Sequence, residues 1–230
     1  MEYLPNGFTL ELAPGTFPLS TDSMVLSDFV KNANGARILD LGSGCGTLGL
    51  LLCAKNAGCT VTGIELDEHA HAAATENIRR NGLQVRLNSI CTDLRNLPAE
   101  LTGRFHCCIS NPPYFTGGPA SQTHQTARRE DTCAPEDLFA AVSHVLKFGG
   151  DFYLVHKPER LAELFAAACK HKLEPKRLRL LRHKENGPVA LVLVQCRKDA
   201  KPGLVWEEAS LHDQNGDPTA YYRQVYHTEA

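Results

Sequence analysis

The sequence predicts an α/β protein with a seven-stranded, mostly parallel sheet, and two observations lead to this class. From residue 36 onward, short apolar runs alternate with amphipathic stretches of helical length, which is typical of consecutive parallel β/α units. The last two apolar runs, KRLRLLRH and PVALVLVQCRK, are separated only by the turn KENGP and predict a C-terminal antiparallel hairpin. The 230 residues suffice for one well-cored domain, so we expect helices on both faces of the sheet.

Each element has its own signals in the sequence. The first five strands are predicted at ARILDLG, CTVTGIELD, QVRLNSICTD, FHCCIS and DFYLVHK. Helices are predicted at STDSMVLSDFV, TLGLLLCAKN, EHAHAAATENIRRNG, PEDLFAAVSHVLKFGG and PERLAELFAAACKHK. We expect the first helix to begin at Asp22 or Ser23, and the third to be capped by Asp67 and closed by Gly82. Pro135 is typical of a first helical turn and supports the fourth helix.

The prediction divides this single domain into three parts. Residues 1–35 form an N-terminal segment over a ligand pocket, residues 36–156 form the core, and residues 157–230 form a C-terminal part with a basic stripe. The N-terminus lacks a basic region followed by an apolar core, and no apolar run reaches membrane-spanning length. We therefore expect a cytoplasmic protein without a membrane partner. We also expect a monomer.

Composition restricts the kinds of partner and metal site. The chain is 43% hydrophobic and 22% charged with a formal net charge of -2, so a nucleic-acid partner would have to be recognised by local charge. The nine cysteines are odd in number and lie mainly in apolar runs, which favours reduced core residues over disulfides. Because no CxxC pair or Cys/His cluster with zinc spacing is present in the sequence, we expect no metal site.

Three acidic residues stand at the ends of three successive predicted strands: Asp40, Glu65 and Asp93. Asp40 precedes a glycine-rich turn, where the backbone can bend sharply and a ligand can lie close to it. The glycines of this turn are Gly42, Gly44 and Gly46. A dinucleotide would match the glycine spacing, but an acid before the turn suits an amine or sulfonium better than a pyrophosphate. Glu65 could accept hydrogen bonds from ribose hydroxyls and Asp93 from an adenine amine, which indicates a nucleoside-containing cofactor.

The stretch SNPPYF, residues 110–115, directly follows the fourth predicted strand. Two consecutive prolines cannot continue a helix or donate to a sheet ladder, so the chain must leave the strand here. Ordinary turn chemistry would explain an Asn before a Pro. The functional alternative is that the strand delivers one amide, a rigid backbone and two aromatic rings to a single place.

The motifs DLGSGCG, IELD, CTD and NPPYF, in this order, resemble those of class I S-adenosylmethionine-dependent methyltransferases, which have a Rossmann-like fold. The NPPY tetrad is similar to that of enzymes that methylate adenine-N6, cytosine-N4 or glutamine-N5. These motifs cover residues 36 to about 156. Outside them, STDSMVLSDFV, ARRE and LHDQNGDPTAYYRQVY resemble bacterial tRNA (adenine-N6)-methyltransferases that act beside the anticodon of a valine tRNA.

The resemblance implies S-adenosylmethionine as the cofactor and a set of residues that bind it. That set is Thr21, Asp22, Asp40, Gly42, Gly44, Gly46, Glu65, Leu66, Asp93, Leu94 and Asn111. Ordinary helix capping would explain Thr21 and Asp22 equally well.

The resemblance also implies catalytic roles for Asn111, Pro112, Pro113 and Tyr114. The Asn111 side-chain oxygen and the Pro112 carbonyl would accept the two hydrogens of the target amine, which aligns the nitrogen with the methyl group and stabilises its developing charge. Proline would fix the direction of the neighbouring carbonyls. Tyr114 would stack on the target ring, and Phe115 would form one side of the pocket. A stacked base cannot reach such a pocket, so an unstacked nucleotide, as in an anticodon loop, would suit it.

Basic residues are concentrated between positions 170 and 184. This segment contains seven lysines and arginines and a single acid, Glu174. We expect a stripe that binds RNA phosphates, with Lys176, Arg177 and Arg179 as its main contacts. Solvated surface is the alternative interpretation. Arg128 and Arg129, in the loop after the tetrad, are expected to add phosphate contacts.

Three alternatives to tRNA methylation remain open in the sequence. A protein (release factor) glutamine-N5 methyltransferase would share the tetrad, although the 35 residues before the core leave little room for a substrate-binding domain. Ribosomal RNA or DNA could be the acceptor instead of tRNA. A non-catalytic RNA-binding module with the same fold would bind RNA without turnover.

Overall fold

The computed structural model describes residues 1–4, 7–16, 18–31, 33–112 and 134–227. The strands in chain order are β1 (Glu2–Tyr3), β2 (Thr9–Leu10), β3 (Arg37–Leu41), β4 (Thr60–Glu65), β5 (Leu87–Cys91), β6 (Phe105–Ser110), β7 (Leu146–His156), β8 (Leu173–Lys184), β9 (Val189–Lys198) and β10 (Val205–His212). The α-helices of the described residues are α1 (Thr21–Phe29), α2 (Thr47–Lys55), α3 (Glu68–Arg80), α4 (Pro135–Val145), α5 (Leu161–Lys170) and α6 (Ala220–Tyr226).

Eight strands form one sheet in the order β10-β8-β9-β7-β6-β3-β4-β5. Every strand of this sheet except β9 runs in the same direction, because β9 is antiparallel to both β7 and β8 and the other pairs are parallel. The carboxyl ends of seven strands therefore meet at one edge of the sheet. The chain runs from β3 to β4 and β5 on one side and then continues with β6 on the other side of β3. The strand order thus reverses between β3 and β6, and a ligand is expected near the carboxyl ends of these two strands.

Two hydrophobic clusters cover the two faces of the sheet. One contains buried residues of α1, α2 and α3 together with Val225 of α6, and the other contains buried residues of α4 and α5. The strands in the middle of the sheet are buried on both faces, as their continuous apolar runs predict. None of the helices in the described part of the chain has the length and apolar content needed to cross a membrane.

The predicted fold class is confirmed; the large sheet has one strand more than expected, and β1 and β2 form a separate two-stranded sheet that was not predicted. The C-terminal hairpin is present as β8 and β9, and Asp67 caps α3 by accepting a hydrogen bond from the Ala70 amide at 2.8 Å. Helix α1 begins at Thr21 with Ser20 as its cap, which is one residue earlier than predicted. The additional strand is β10, which pairs in parallel with β8 at the edge of the sheet.

The predicted basic stripe is not one exposed surface, and the prediction is wrong at Arg177 and Arg179. Arg177 is only 6% exposed; its guanidinium lies 3.7 Å from the ring centroid of Phe29 and donates to the Phe29 carbonyl. Arg179 donates two hydrogen bonds to Glu207, at 2.9 and 2.7 Å, and one to Tyr221 at 3.0 Å. These donors are engaged inside the protein, where they join α1, β8, β10 and α6.

The other basic residues of the stripe separate to the two ends of β8. Lys170 and Lys172 precede the strand, and Lys176 near its start donates to a backbone carbonyl at 3.1 Å. Arg182 and Lys184 lie at the carboxyl end. A strand rises about 3.3 Å per residue, so Lys176 and Lys184 are separated by about 26 Å along β8. Lys176 therefore lies toward the edge of the sheet opposite the carboxyl ends.

Candidate active site

A cavity of about 530 Å³ opens at the carboxyl edge of the sheet, where β3, β4, β5 and β6 end. The strands and the segment after β5 contribute Leu41, Glu65, Ser110, Thr92 and Asp93 to its lining. The N-terminal turn of α1 and the segment before it add Thr16, Pro18, Ser20, Asp22 and Ser23. The cavity therefore occupies the position at which open α/β sheets bind ligands.

The glycine-rich turn between β3 and α2 requires glycine for its backbone conformation. Gly42, Gly44 and Gly46 have φ values of 74°, 54° and 84°, which other residues rarely adopt. Gly42 and Gly44 line the cavity, and a Cβ atom at either position would meet no described protein atom within 4 Å. The backbone there is open to a ligand. Gly46 is not part of the lining and stands at the N-cap position of α2.

Glu65, at the end of β4, lines the cavity and is held in place by two backbone amides. Its carboxylate accepts hydrogen bonds from Gly44 at 2.7 Å and from Asp67 at 2.9 Å. A carboxylate has about four acceptor positions, so it can accept further hydrogen bonds from a ligand while it fixes the glycine-rich turn. The side chain is therefore already oriented before any ligand binds.

Asp93 follows β5 and lines the cavity together with Leu94. Arg95 donates to both oxygens of Asp93, at 3.0, 3.0 and 2.5 Å, and these hydrogen bonds lower the pKa of the Asp93 carboxyl. Asp93 is thus an anion at neutral pH. Leu66, which is 51% exposed, adds an apolar surface to the same cavity.

Asp40 lies in β3 and is buried rather than part of the cavity lining. It is 1% exposed, and within the described residues neither of its carboxyl oxygens has a hydrogen-bond partner. Burial, followed by the nearby charge of Glu65, raises the pKa of Asp40 to about 8. Asp40 thus carries a proton in most molecules at neutral pH.

Thr21, a predicted cofactor-binding residue, is not among the residues that line the cavity. Its hydroxyl lies 2.9 Å from the hydroxyl of Tyr226, so it connects α1 to α6. Its neighbour Asp22 does line the cavity. Burial raises the pKa of Asp22, and the charges of Lys157 and His183 oppose this shift.

Asn111 and Pro112 lie at the tip of β6 and line the cavity. The Asn111 side-chain nitrogen donates to the Ser23 hydroxyl at 3.1 Å. Ser110, just before it, is buried and donates to the Leu41 carbonyl at 2.7 Å, which fixes the end of β6 against β3. Five other predicted site residues lie outside the described residues: Pro113, Tyr114, Phe115, Arg128 and Arg129.

One residue that no sequence pattern identified connects the N-terminal segment to the glycine-rich turn. Asn77 of α3 is buried; its side chain accepts from the Glu11 amide at 2.8 Å and donates to the Glu11 carbonyl at 2.8 Å. It also donates to the Cys45 carbonyl at 3.0 Å. The sequence offered no signal, since a polar residue in a helix ordinarily faces solvent.

The cavity suits a cofactor that carries both a nucleoside and a positive charge. Its lining combines the carboxylates of Asp22, Glu65 and Asp93 with two glycines whose open backbone leaves room for a ligand. Among the described residues, no group of three or more His, Cys, Asp or Glu side chains could hold a metal ion.

Comparisons with known proteins identify the class. A family profile described as the methyltransferase small domain matches residues 19–167. The chain belongs to this methyltransferase family. It is therefore a methyltransferase, and its methyl donor is S-adenosylmethionine, which confirms the predicted enzyme class and cofactor.

Individual relatives cover nearly the whole chain. A protein of Bacteroides fragilis named tRNA1(Val) (adenine(37)-N6)-methyltransferase is 30% identical over 90% of this chain and 90% of its own. A protein of the same name from Photobacterium profundum is 28% identical over 89% of this chain and 87% of its own. The crystal structure of a predicted O-methyltransferase from Agrobacterium tumefaciens shares the fold, with a TM-score of 0.75, 21% identity, and coverage of 90% of this chain and 96% of its own.

Gly63 provides a test of how the methyltransferase holds its glycine-rich turn. A Cβ atom at this position of β4 would lie 2.6 Å from the Ser43 hydroxyl oxygen and 2.9 Å from the Ser43 Cβ. We expect Gly63→Ala to displace the turn, weaken S-adenosylmethionine binding by about tenfold or more, and destabilise the fold by about 1 to 3 kcal/mol. Titration calorimetry and denaturant unfolding would measure the two effects.

A second substitution serves as the control for Gly63→Ala. Ser43→Gly removes the side chain that the new methyl group would contact, so the double variant should recover most of the cofactor affinity. If Gly63→Ala alone bound the cofactor like the wild type, the close approach of Ser43 to β4 would not matter for the site.

Proposed function

We propose that this enzyme transfers a methyl group from S-adenosylmethionine to the N6 amine of an adenine in RNA, with tRNA as the substrate. The observation that carries the proposal is the position of Asn111: it lines the cofactor cavity, and its side-chain nitrogen is engaged by Ser23. No described residue donates to its oxygen, which would therefore accept a hydrogen bond from a substrate amine. The names of the relatives, which specify adenine 37 of a valine tRNA, support the same substrate.

In this proposal the cavity residues bind the two ends of the cofactor. The preoriented carboxylate of Glu65 would accept hydrogen bonds from ribose hydroxyls, and Asp93 would accept from an exocyclic adenine amine beside the apolar Leu66 and Leu94. Asp22 lines the cavity and would face the positively charged methionine end of the cofactor. When bound, S-adenosylmethionine supplies an electrophilic methyl group.

The tip of β6 would prepare the nucleophile. The exocyclic nitrogen of adenine is a weak nucleophile because its lone pair is delocalised into the ring. The Asn111 oxygen and the Pro112 carbonyl would accept its two hydrogens, which localises the lone pair and stabilises the positive charge that develops on nitrogen. Tyr114 and Phe115, outside the described residues, would hold the base by stacking and by enclosing the pocket. No strong general base is needed, since the methylated nitrogen is acidic.

The carboxyl edge of the sheet beyond Asn111 would contact the RNA backbone. Lys157 follows β7, and His183 and Lys184 form the end of β8 at the same edge as the cavity. The charges of Lys157 and His183 oppose the rise in the pKa of Asp22, which supports a position beside the cavity for both. Phosphates on either side of an unstacked adenine would meet these cations.

Product analysis tests the proposed function. The purified enzyme is incubated with labelled S-adenosylmethionine and, separately, with bulk tRNA, ribosomal RNA, DNA or a release-factor protein, and the modified nucleosides or residues are identified. We expect N6-methyladenosine in tRNA. Label in glutamine of the protein would assign the enzyme to the alternative acceptor, and label in DNA or ribosomal RNA would contradict the tRNA assignment.

Charge reversal tests the proposed RNA surface. We expect Lys157→Glu combined with Lys184→Glu to weaken tRNA binding by about tenfold or more at low salt and to reduce the slope of log affinity against log salt by about two. The matched control is Lys172→Glu combined with Lys176→Glu, which makes the same change of charge at the other end of β8. Equal losses in both double variants would show that net charge, not this surface, controls binding.

A further inference from the structure

The amide group of Asn111 has two different ends, and the structure distinguishes them. The nitrogen lies 3.1 Å from the hydroxyl oxygen of Ser23. Within the described residues, no donor lies within hydrogen-bonding distance of the Asn111 side-chain oxygen, although the residue lines the cavity. The nitrogen is thus held by the protein and the oxygen is available to a ligand.

Ser23 is itself fixed in position. It is the third residue of α1 and 7% exposed, and its amide donates to the hydroxyl of the capping residue Ser20 at 3.3 Å. The far end of α1 is anchored by Phe29, whose ring lies edge-on to Tyr153 at 6.0 Å and under the guanidinium of Arg177. The Ser23 hydroxyl is therefore held in a fixed position beside the tip of β6, where it accepts from Asn111.

Orientation of the amide decides whether Asn111 can assist the reaction. The side-chain oxygen and nitrogen of asparagine have nearly the same shape, so rotation of the group by 180° would exchange an acceptor for a donor. A donor facing the hydrogens of the target amine would repel the substrate and leave its lone pair delocalised. In the structure the Ser23 hydroxyl accepts from the Asn111 nitrogen, so the amide stands in the productive orientation.

We propose that Ser23 is a positioning residue that holds the Asn111 amide with its oxygen directed to the target amine. This inference rests on the proposed function, since it concerns the same reaction. Ser23 acts through Asn111 and need not contact the substrate. Removal of the Ser23 hydroxyl should therefore lower the rate of methyl transfer and leave the affinity for the cofactor nearly unchanged.

Kinetics of two serine variants test this inference. We expect Ser23→Ala to lower kcat by about 10- to 100-fold, while the affinity for S-adenosylmethionine changes by less than about threefold. Ser23→Thr, which keeps the hydroxyl, should retain most of the activity. The matched control is Ser27→Ala, a buried serine of the same helix whose hydroxyl donates to the Met24 carbonyl; it should leave kcat unchanged.

Nuclear magnetic resonance gives a readout that does not depend on activity. The side-chain NH₂ signals of Asn111 are assigned by their loss in Asn111→Asp, and they should shift in Ser23→Ala but not in Ser27→Ala. Unchanged signals together with unchanged kcat in Ser23→Ala would overturn the inference. A wild-type enzyme without activity on any nucleic acid would instead overturn the proposed function, and the signals would still report whether Ser23 orients the amide.

Discussion

Replacing Asn111 by alanine should reduce methyl transfer by at least about 10²- to 10³-fold while leaving cofactor affinity within a few-fold of the wild type. The reason is that the side-chain oxygen would act mainly in the transition state, when the target nitrogen loses conjugation and gains positive charge. The glycine-rich turn and the acids at the ends of β4 and β5 remain intact in this variant. Single-turnover assays with labelled donor and calorimetric titration of the cofactor would measure the two quantities.

Two further variants sharpen the Asn111 experiment. Asn111→Asp keeps an acceptor oxygen but loses the donation to Ser23, so its activity should fall between those of the wild type and Asn111→Ala. Asn56→Ala removes an amide at the C-terminal cap of α2, away from the cavity lining, and should keep full turnover. Turnover by Asn111→Ala within about tenfold of the wild type would remove this residue from the mechanism.

The acids of the site could be located from the sequence because their position follows from topology. Apolar runs predicted the parallel strands, and parallel strands that end at the same edge bring the residues that follow them together. Glu65 and Asp93 therefore line one cavity although they are far apart in the chain. What the pattern could not predict is which acid would be buried. Asp40 occupies an interior position of β3 and lies outside the cavity lining.

The differences between the predicted and the observed structure also have physical causes. β10 was missed because its sequence, VWEEASLH, has a single buried residue, Leu211, and its strand conformation depends on pairing with the free edge of β8. The prediction of a basic stripe considered only the number of charges along the strand. It did not consider that successive side chains of a strand point to opposite faces of the sheet. Arg177 and Arg179 turn toward acids and aromatic rings of distant segments, such as Glu207 and Phe29, that no local pattern identifies.

The role proposed for Ser23 could not be predicted from the sequence for a different reason. A serine in the first turn of a helix is so often part of a cap that the sequence assigns it no other role. Its hydroxyl faces Asn111, which is 88 residues away in the chain, only because α1 lies against the tip of β6. Residues that act through a catalytic side chain are therefore harder to predict than the side chain itself.

Asp40→Asn should remove a large pH dependence of stability in the cofactor-free enzyme. The pKa of Asp40 is about 8 in the folded protein, compared with its ordinary value of 3.8, because burial and the charge of Glu65 disfavour the carboxylate. Between these two pH values the folded state holds a proton that the unfolded chain releases. The folded state is therefore increasingly disfavoured as pH rises through this range, by at most about 1.4 kcal/mol per pH unit.

The asparagine variant has nearly the same shape but no proton to lose. Near pH 4 the two proteins should have similar free energies of unfolding, and near pH 8 the variant should be more stable by several kcal/mol, because only in the wild type does unfolding release a proton that the folded state retains. Urea unfolding of both proteins at pH 5 and pH 8 measures the difference. Asp93→Asn is a suitable control: the pKa of Asp93 is lowered by Arg95, so both states are ionised above pH 5 and its removal should not alter the slope. Parallel stability profiles of the wild type and Asp40→Asn would mean that Asp40 is ionised and compensated in the folded enzyme, for example by a cation or water that reaches its oxygens.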